Sequence, residues 1–528
     1  MTIDKDKNLI VKPKTKTMKK TLLKAASFLT MFGMLASANA QTRYLDEVFG
    51  DNDVVVHKDV KYAENYSVIT GSPVLGDLFM DIYEPDQTAD SESERPVIVY
   101  LHTGNFLPPV VNGGPTGSKD DLTAIELATQ WAKRGYVVAV PNYRLGWNPV
   151  ATDEEVRRST LLVAVYRALL DAKSAVRFLR ADEDTNGNTY GIDTDNFVLY
   201  GQGSGGYVAL AYGALDKVSE TQLPKFTWAD AGPQGEPVGS PYLNFQLWGD
   251  INGEGGMFNV ENNVNYSADV KMVVNAGGSL ADTSWLDAGE PAVVSFHTVR
   301  DPFAPYGNGT VIVPTTNGDV VDVSGAGVFM EKVNALGNND AFANLPFFDD
   351  YTKAAQKNYY KNFSYFLPAP FNEIWSNGGE GLYPIVRPLA ATRFDNIGAP
   401  WEWQGSSNVT ETEAKTFLDT INGYMHPRIM RVLELPGFQA VSSNERVNET
   451  ALDIYPNPAR NLFNIVANNY DNAINEVRIF DIAGRVHFDK MNMNEVQMQI
   501  DASQFPSGVY FVNVVTNKEN KVHKVIVE

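Results

Sequence analysis

Not one of the 528 residues is cysteine. Disulfides, thiol nucleophiles and cysteine-ligated zinc are therefore excluded. The absence assigns no compartment, because a domain of ordinary size needs no disulfide to hold it together. Histidine is scarce, at six residues, so any chemistry that needs an imidazole base has few candidates. Positive charge is also short: 43 Lys and Arg stand against 64 Asp and Glu, for a net charge of −21 at pH 7. A polyanion of this kind repels nucleic acid and anionic lipid, and neither is expected as a partner. Long apolar runs are missing too. The run at Leu22–Leu35 is short and interrupted by Lys24, too little for a membrane span.

That run reads instead as the core of a signal peptide over residues 1–40. Met18-Lys19-Lys20 opens a basic segment, and Ala38-Asn39-Ala40 supplies the small-residue cleavage site before Gln41. Met18 is an alternative start.

From Asp53 onward, strand and helix patterns alternate. Pro96–His102, Tyr136–Val140, Phe197–Tyr200, Val270–Asn275 and Val293–Phe296 are continuous apolar runs, expected of strands buried on both faces. Phe79–Tyr83 is a further short strand. Lys119–Arg134, Glu154–Leu179, Ser204–Leu215 and Glu411–Met425 have helical spacing. The alternation predicts an α/β fold with a mostly parallel sheet flanked by helices over residues 41–440. Residues 307–400 are rich in Asn, Phe, Tyr and Pro and read as an insertion over that sheet. A polar linker at 441–451 precedes a tail, 452–528, of short alternating segments with close turns, predicted as a small all-β sandwich.

The tail contains Tyr455-Pro456-Asn457-Pro458, then Asp481-Ile482-Ala483-Gly484-Arg485, then Phe505-Pro506-Ser507-Gly508-Val509-Tyr510, then Lys524-Val525-Ile526-Val527. With these motifs in this order it resembles a type IX secretion sorting domain. The resemblance implies engagement of the type IX machinery, passage through the periplasm, and release or attachment at the outer surface.

The central region resembles the α/β-hydrolase fold, nearest to secreted carboxylesterases. Val99–Phe106 (VYLHTGNF) stands where those enzymes carry a strand followed by His-Gly-Gly; here Thr103 replaces the first glycine and Gly104 remains. Asn142-Tyr143-Arg144-Leu145-Gly146 matches a structural stretch whose arginine braces the core. His297-Thr298-Val299-Arg300-Asp301 matches the segment that carries the acid, making Asp301 the acid by resemblance, with Asp282 as an alternative. Only His426 falls late enough in the domain to serve as a base. It lies at the end of a helix, whereas the family's base follows the last strand and precedes that helix. On the hydrolytic reading, Ser204 attacks an ester carbonyl, His426 takes its proton, Asp301 orients His426, and amides near Gly104 and Asn105 hold the oxyanion. No cofactor is implied.

The stretch Leu199–Tyr207 (LYGQGSGGY) puts that reading in question. The nucleophile elbow of the fold is G-x-S-x-G on a tight strand-to-helix turn. If the strand ends at Gly201, then Gly203 takes the serine position, Gly205 is the trailing glycine, and Ser204 lies about a hundred degrees further around the helix. Ser204 would then cap the helix or bind an anion there. The other register slips by one residue, puts Gln202 in the first glycine position and keeps Ser204 as nucleophile. The alternative to hydrolysis is a non-catalytic protein that binds a small molecule or surface ligand in the same cleft. Separately, Asp182, Asp184, Asn186-Gly187 and Asp193 have calcium-loop spacing; the competing reading is a polar turn between helix and strand.

Overall fold

A computed structural model describes residues 42–342, apart from 113, 115, 298–300 and 302, together with 374–376, 411–437 and most of 452–527. The expected signal peptide, the linker and most of the second half of the expected insertion lie outside the described residues. The chain divides into two compact units, Met1–Phe438 and Gln439–Glu528.

The first unit is built on an eight-stranded sheet, in the order β1-β2-β4-β3-β5-β6-β7-β10. Its strands are β1 (Val54–Ser67), β2 (Val74–Pro85), β3 (Arg95–Leu101), β4 (Val137–Pro141), β5 (Ile192–Gln202), β6 (Met272–Ala276), β7 (Ala292–His297) and β10 (Ile374–Ser376). The first two strands and β4 pair antiparallel, and everything from β4 to β10 is parallel. The parallel strands are apolar on both faces because helices cover both. On one face lie α2 (Glu154–Asn186) and α3 (Ser204–Ala214), packed on Val97, Val99, Phe197 and Leu199. On the other lie α1 (Leu122–Lys133) and α6 (Glu411–Val432), packed on Ile98, Tyr100, Val198 and Tyr200. The alternation of Leu199 and Tyr200 between the two cores is the period of two of a strand.

Three elements differ from the sequence expectation. The hairpin of β1 and β2 is far longer than Phe79–Tyr83, because its outer half is solvated and lacks an apolar run. The long helix continues to Asn186, where Gly187 closes it in the left-handed conformation (φ 75°). Within 307–342 the structure is regular: a hairpin of β8 (Asn308–Ile312) and β9 (Asp319–Ser324), then α5 (Ala326–Ala335); the one-turn α4 (Phe245–Trp248) precedes β6.

In the second unit the described strands all pair antiparallel. One sheet has the order β11-β12-β15, the other β14-β13-β16-β17. The strands are β11 (Leu452–Tyr455), β12 (Leu462–Ala467), β13 (Ile474–Asp481), β14 (Val486–Lys490), β15 (Gln497–Asp501), β16 (Gly508–Thr516) and β17 (Asn520–Val527). Alternate residues such as Phe463, Ile465, Val477, Ile479, Val512 and Val514 form its core. β14 has no buried position.

Candidate active site

The site forms at the C-terminal ends of the parallel strands, where such sheets carry their loops. Strand β5 runs to Gln202, and α3 starts at Ser204. Gly203 joins them with φ 55° and ψ −118°, a conformation that side chains resist. The flanking glycines set the register. A Cβ on Gly201 would overlap the Gly205 carbonyl, and one on Gly205 would overlap the Leu101 carbonyl. These two are therefore the close-approach glycines of the elbow, and the residue midway between them, at the apex, is Gly203.

Ser204 is the first residue of α3 and only 6% exposed. Its Oγ lies 3.4 Å from the Tyr143 hydroxyl, beyond the usual O–H···O distance. The Tyr143 hydroxyl already donates to the His102 carbonyl at 2.6 Å, and burial pushes its pKa upward. The ring of Tyr143 stacks on His102 at 4.3 Å between centroids.

After β3 the chain turns through Gly104, Asn105 and Phe106, all with positive φ. A Cβ on Gly104 would come within 2.5 Å of the Gly117 Cα, so the glycine permits the loop at Gly117 to lie against this turn. Asp121 holds that loop by accepting from the Gly117 and Ser118 amides, and burial pushes its carboxyl up to about 7. Among the described residues, the main-chain N–H groups of Gly104, Asn105 and Ser204 donate to no protein acceptor. In this fold the oxyanion donors are the amide after the apex and one from the β3 loop, so the Ser204 amide joins the expected Gly104 and Asn105. The sequence reading did not name the Ser204 amide; the glycine spacing of the elbow is the signal that could have. The Tyr143 contact had no local sequence signal.

Gly104, Asn105, Gly203 and Ser204 line one cavity of about 360 Å³. Its walls are largely apolar and aromatic, with Phe106, Trp147, Leu161, Phe226, Trp285 and Val323 among them, and include uncharged polar residues such as Thr103, Asn112 and Ser279. No Asp, Glu, Lys, Arg or His is among the described residues that line it. The β8–β9 hairpin and the first half of α2 thus supply walls that sequence reasoning did not identify.

The remaining expected residues go elsewhere. Asp301 accepts from the Phe303 and Ala304 amides, each at 2.8 Å, and so shapes a loop whose Phe303 and Ala304 reach the cavity. Asp282 is tied to Lys225 at 2.9 Å and caps the Ser284 turn. His426 is fully buried in α6, stacked on Tyr136 at 5.2 Å and 6.5 Å from Trp131. It belongs to the core on the α1–α6 face of the sheet, whereas α3 packs on the opposite face, so the structure does not bring it to Ser204. Burial holds its pKa well below the ordinary histidine value. His102 and His297 are buried and lowered to about 4 by desolvation; they donate to the Thr103 and Ala304 carbonyls. His57 pairs with Glu84, and His487 with Asp481 in the second unit.

The calcium loop does not form. Asp182, Asp184 and Asn186 occupy the last turns of α2, which keep Asp182 and Asn186 on one face and turn Asp184 away from it. Asp182 accepts from Asn186 and Thr189, Asp184 from the Tyr266 hydroxyl, and Asp193 from Asp195 and Asn196. A different acidic group, Asp216, Glu220 and Asp287, comes together beside α3. Lys217 pairs with Asp287 there, and Glu220 caps the Asp216 and Lys217 amides, so these carboxylates already have partners.

Residues 80–278 match the family described as BD-FAE, and residues 453–528 match the secretion system C-terminal sorting domain. Among solved structures, esterase 2 of Thermogutta terrifontis phosphorylated by paraoxon is 17% identical, over 49% of this chain and 75% of its own, with a TM-score of 0.27. MGS-M1, an α/β hydrolase from a Medee basin deep-sea metagenome library, is 13% identical over 71% of this chain and all of its own, with a TM-score of 0.31. Among curated proteins, a Neuroligin-like protein glit-1 of Caenorhabditis elegans is 39% identical over 69 residues. That stretch is 13% of this chain and spans only 8% of the relative's length. The sheet order, the elbow and the two family matches make this an α/β-hydrolase-fold protein that resembles secreted carboxylesterases and ends in a type IX secretion sorting domain, which directs it to the outer surface or beyond.

Proposed function

We propose that this protein binds a small, largely apolar molecule in its hydrolase cleft, outside the cell, and does not hydrolyse it. The observation that carries this reading is Gly203 at the apex of the elbow, at φ 55° and ψ −118°. The apex is where the fold presents its nucleophile, and glycine has none. The family's base falls between the last strand and the closing helix, and residues 377–410 contain no histidine. Hydrolysis through Ser204 would need a base within hydrogen-bond reach of its Oγ. The group found there is the Tyr143 phenol, which burial keeps protonated. What remains of the site is a cavity within the size range of small-molecule pockets.

The test is turnover of a panel of short- and medium-chain esters by the purified protein, starting at Gln41. The expected rate equals that of the buffer blank. A rate above the blank that disappears in Ser204→Ala would overturn the proposal.

A further inference from the structure

The C-terminal unit has an apolar face that its own core does not use. We infer that the outer face of the β14-β13-β16-β17 sheet, where Phe480, Ile482, Val486, Val509, Phe511 and Ile526 gather, is the docking surface for a protein of the type IX machinery, one that offers an apolar patch rimmed by carboxylates.

The sorting motifs divide between the inside of the unit and this face. Asp481 is buried; its carboxylate accepts from the Arg485 amide and pairs with the Arg485 side chain. Tyr510 is buried and donates its hydroxyl to the Pro506 carbonyl at 2.7 Å. Val525 and Val527 belong to the core. These residues build the fold. Val509 and Ile526, next to them in sequence, point the other way, because successive strand residues alternate between faces. Ile482 follows β13 in the turn toward β14. Strand register joins the patch: Val509 stands opposite Ile526, Phe480 opposite Phe511, and Val486 opposite Phe480. The Phe480 and Phe511 rings stack at 5.8 Å. None of these six side chains belongs to the core of the unit. Ile482 is 80% exposed, Val486 55% and Ile526 36%. Apolar side chains gathered in this way on one surface mark an interaction site.

The match of 453–528 to a secretion sorting domain makes a component of the export machinery the partner that this unit has to meet. Charge specifies the rim of that partner. Lys524 is exposed and stands opposite Phe511 on the patch, and Arg485 is exposed at the β13–β14 turn, while Asp481 is turned inward. On a chain of net charge −21 this is a local surplus of cations, complementary to carboxylates. The edge of β17 is already occupied. Asn457 donates to the Lys524 carbonyl and accepts from the Ile526 amide, both at 2.9 Å, and the Ala459 amide donates to the Ile526 carbonyl at 2.7 Å. Backbone groups so committed do not template an incoming strand. The last strand is therefore recognised through its side chains.

The experiment produces the full-length protein in a bacterium that has the type IX system and compares medium and cell surface with periplasm by immunoblot. Ile482→Ser, Val486→Ser and Ile526→Ser combined should leave about tenfold less protein outside, with the remainder in the periplasm. The retained protein should melt within about 3 °C of wild type, since substitutions at exposed positions cost little. Ile482→Ser alone, at a turn position outside the core, should lower export about threefold. Lys524→Glu should lower export, and Lys524→Arg should not. Leu462→Ser, which removes an exposed apolar side chain from the other sheet, should be exported like wild type. Export of the triple variant or of Lys524→Glu at the wild-type level would overturn the inference; where the triple variant fails to fold, wild-type export of Ile482→Ser does so. An equal defect in Leu462→Ser would overturn it as well. So would a wild-type dimer that the triple variant disperses while export continues, because a second copy would then be the occupant.

Discussion

Restoring a serine at the apex probes the elbow from both sides. In Gly203→Ser the new Cβ must adopt φ 55° and ψ −118°. Holding a non-glycine residue in so sparsely populated a conformation costs about 1–3 kcal/mol. The variant should therefore melt below wild type by that free energy, with its far-UV spectrum unchanged. The serine would sit where the fold presents a nucleophile, beside the Ser204 and Gly104 residues that line the same cavity, while His426, the expected base, is buried in the core on the other face of the sheet. A serine without its base recovers almost none of a triad's rate, since losing either member costs about as much as losing the whole set. Ester hydrolysis by Gly203→Ser should thus stay within about tenfold of wild type. Two results would refute the reasoning. A variant as stable as wild type would mean that Gly203 is not at a strained apex and that the register is wrong. A gain of about a hundredfold or more in turnover would mean that a base is present after all.

Gly205→Ala should be far more disruptive, because its Cβ meets the fixed carbonyl of Leu101; a loss of about 3 kcal/mol or more is expected in chemical denaturation, and a loss under 1 kcal/mol would contradict the packing. Arg144 and Asp171 form a buried ion pair at 2.9 Å. Arg144→Ala leaves the carboxylate alone and should cost about 3–5 kcal/mol, whereas Arg144→Met with Asp171→Leu should lose much less. His426 is neutral in the fold, its pKa held down by burial, and ordinary when unfolded. Its contribution to stability is present above about pH 6.5 and is lost as the pH falls toward its folded pKa, at up to about 1.4 kcal/mol per pH unit. His426→Phe should keep the aromatic packing and remove one proton's worth of that acid slope; an unchanged slope would contradict the burial.

The elbow was legible because its strand is a continuous apolar run ending at Gly201, and because the spacing of three glycines is a local signal. The shortage of base candidates was legible from counting six histidines. Burial of His426 was not, because it depends on Trp131 and Tyr136, nearly three hundred residues away. The calcium spacing stood beside a polar turn as the alternative, and neither reading had the long helix running on to Asn186, where Gly187 closes it. Of the β1–β2 hairpin only Phe79–Tyr83 was legible, because the edge strand β1 and the solvated first half of β2 carry no apolar run. Cavity walls from α2 and the β8–β9 hairpin are adjacent only in the folded chain. The Asp171 partner of Arg144 had to be found in space as well, although the buried arginine itself was expected from Asn142–Gly146.

The central claim is that Ser204 is not a nucleophile. Intact-mass spectrometry after incubation with a fluorophosphonate tests it most directly, because the reagent reports an activated serine whatever the natural substrate. Wild-type protein should show no adduct, under conditions that label a serine esterase run alongside. A stoichiometric adduct that maps to Ser204, and is absent from Ser204→Ala, would contradict the account.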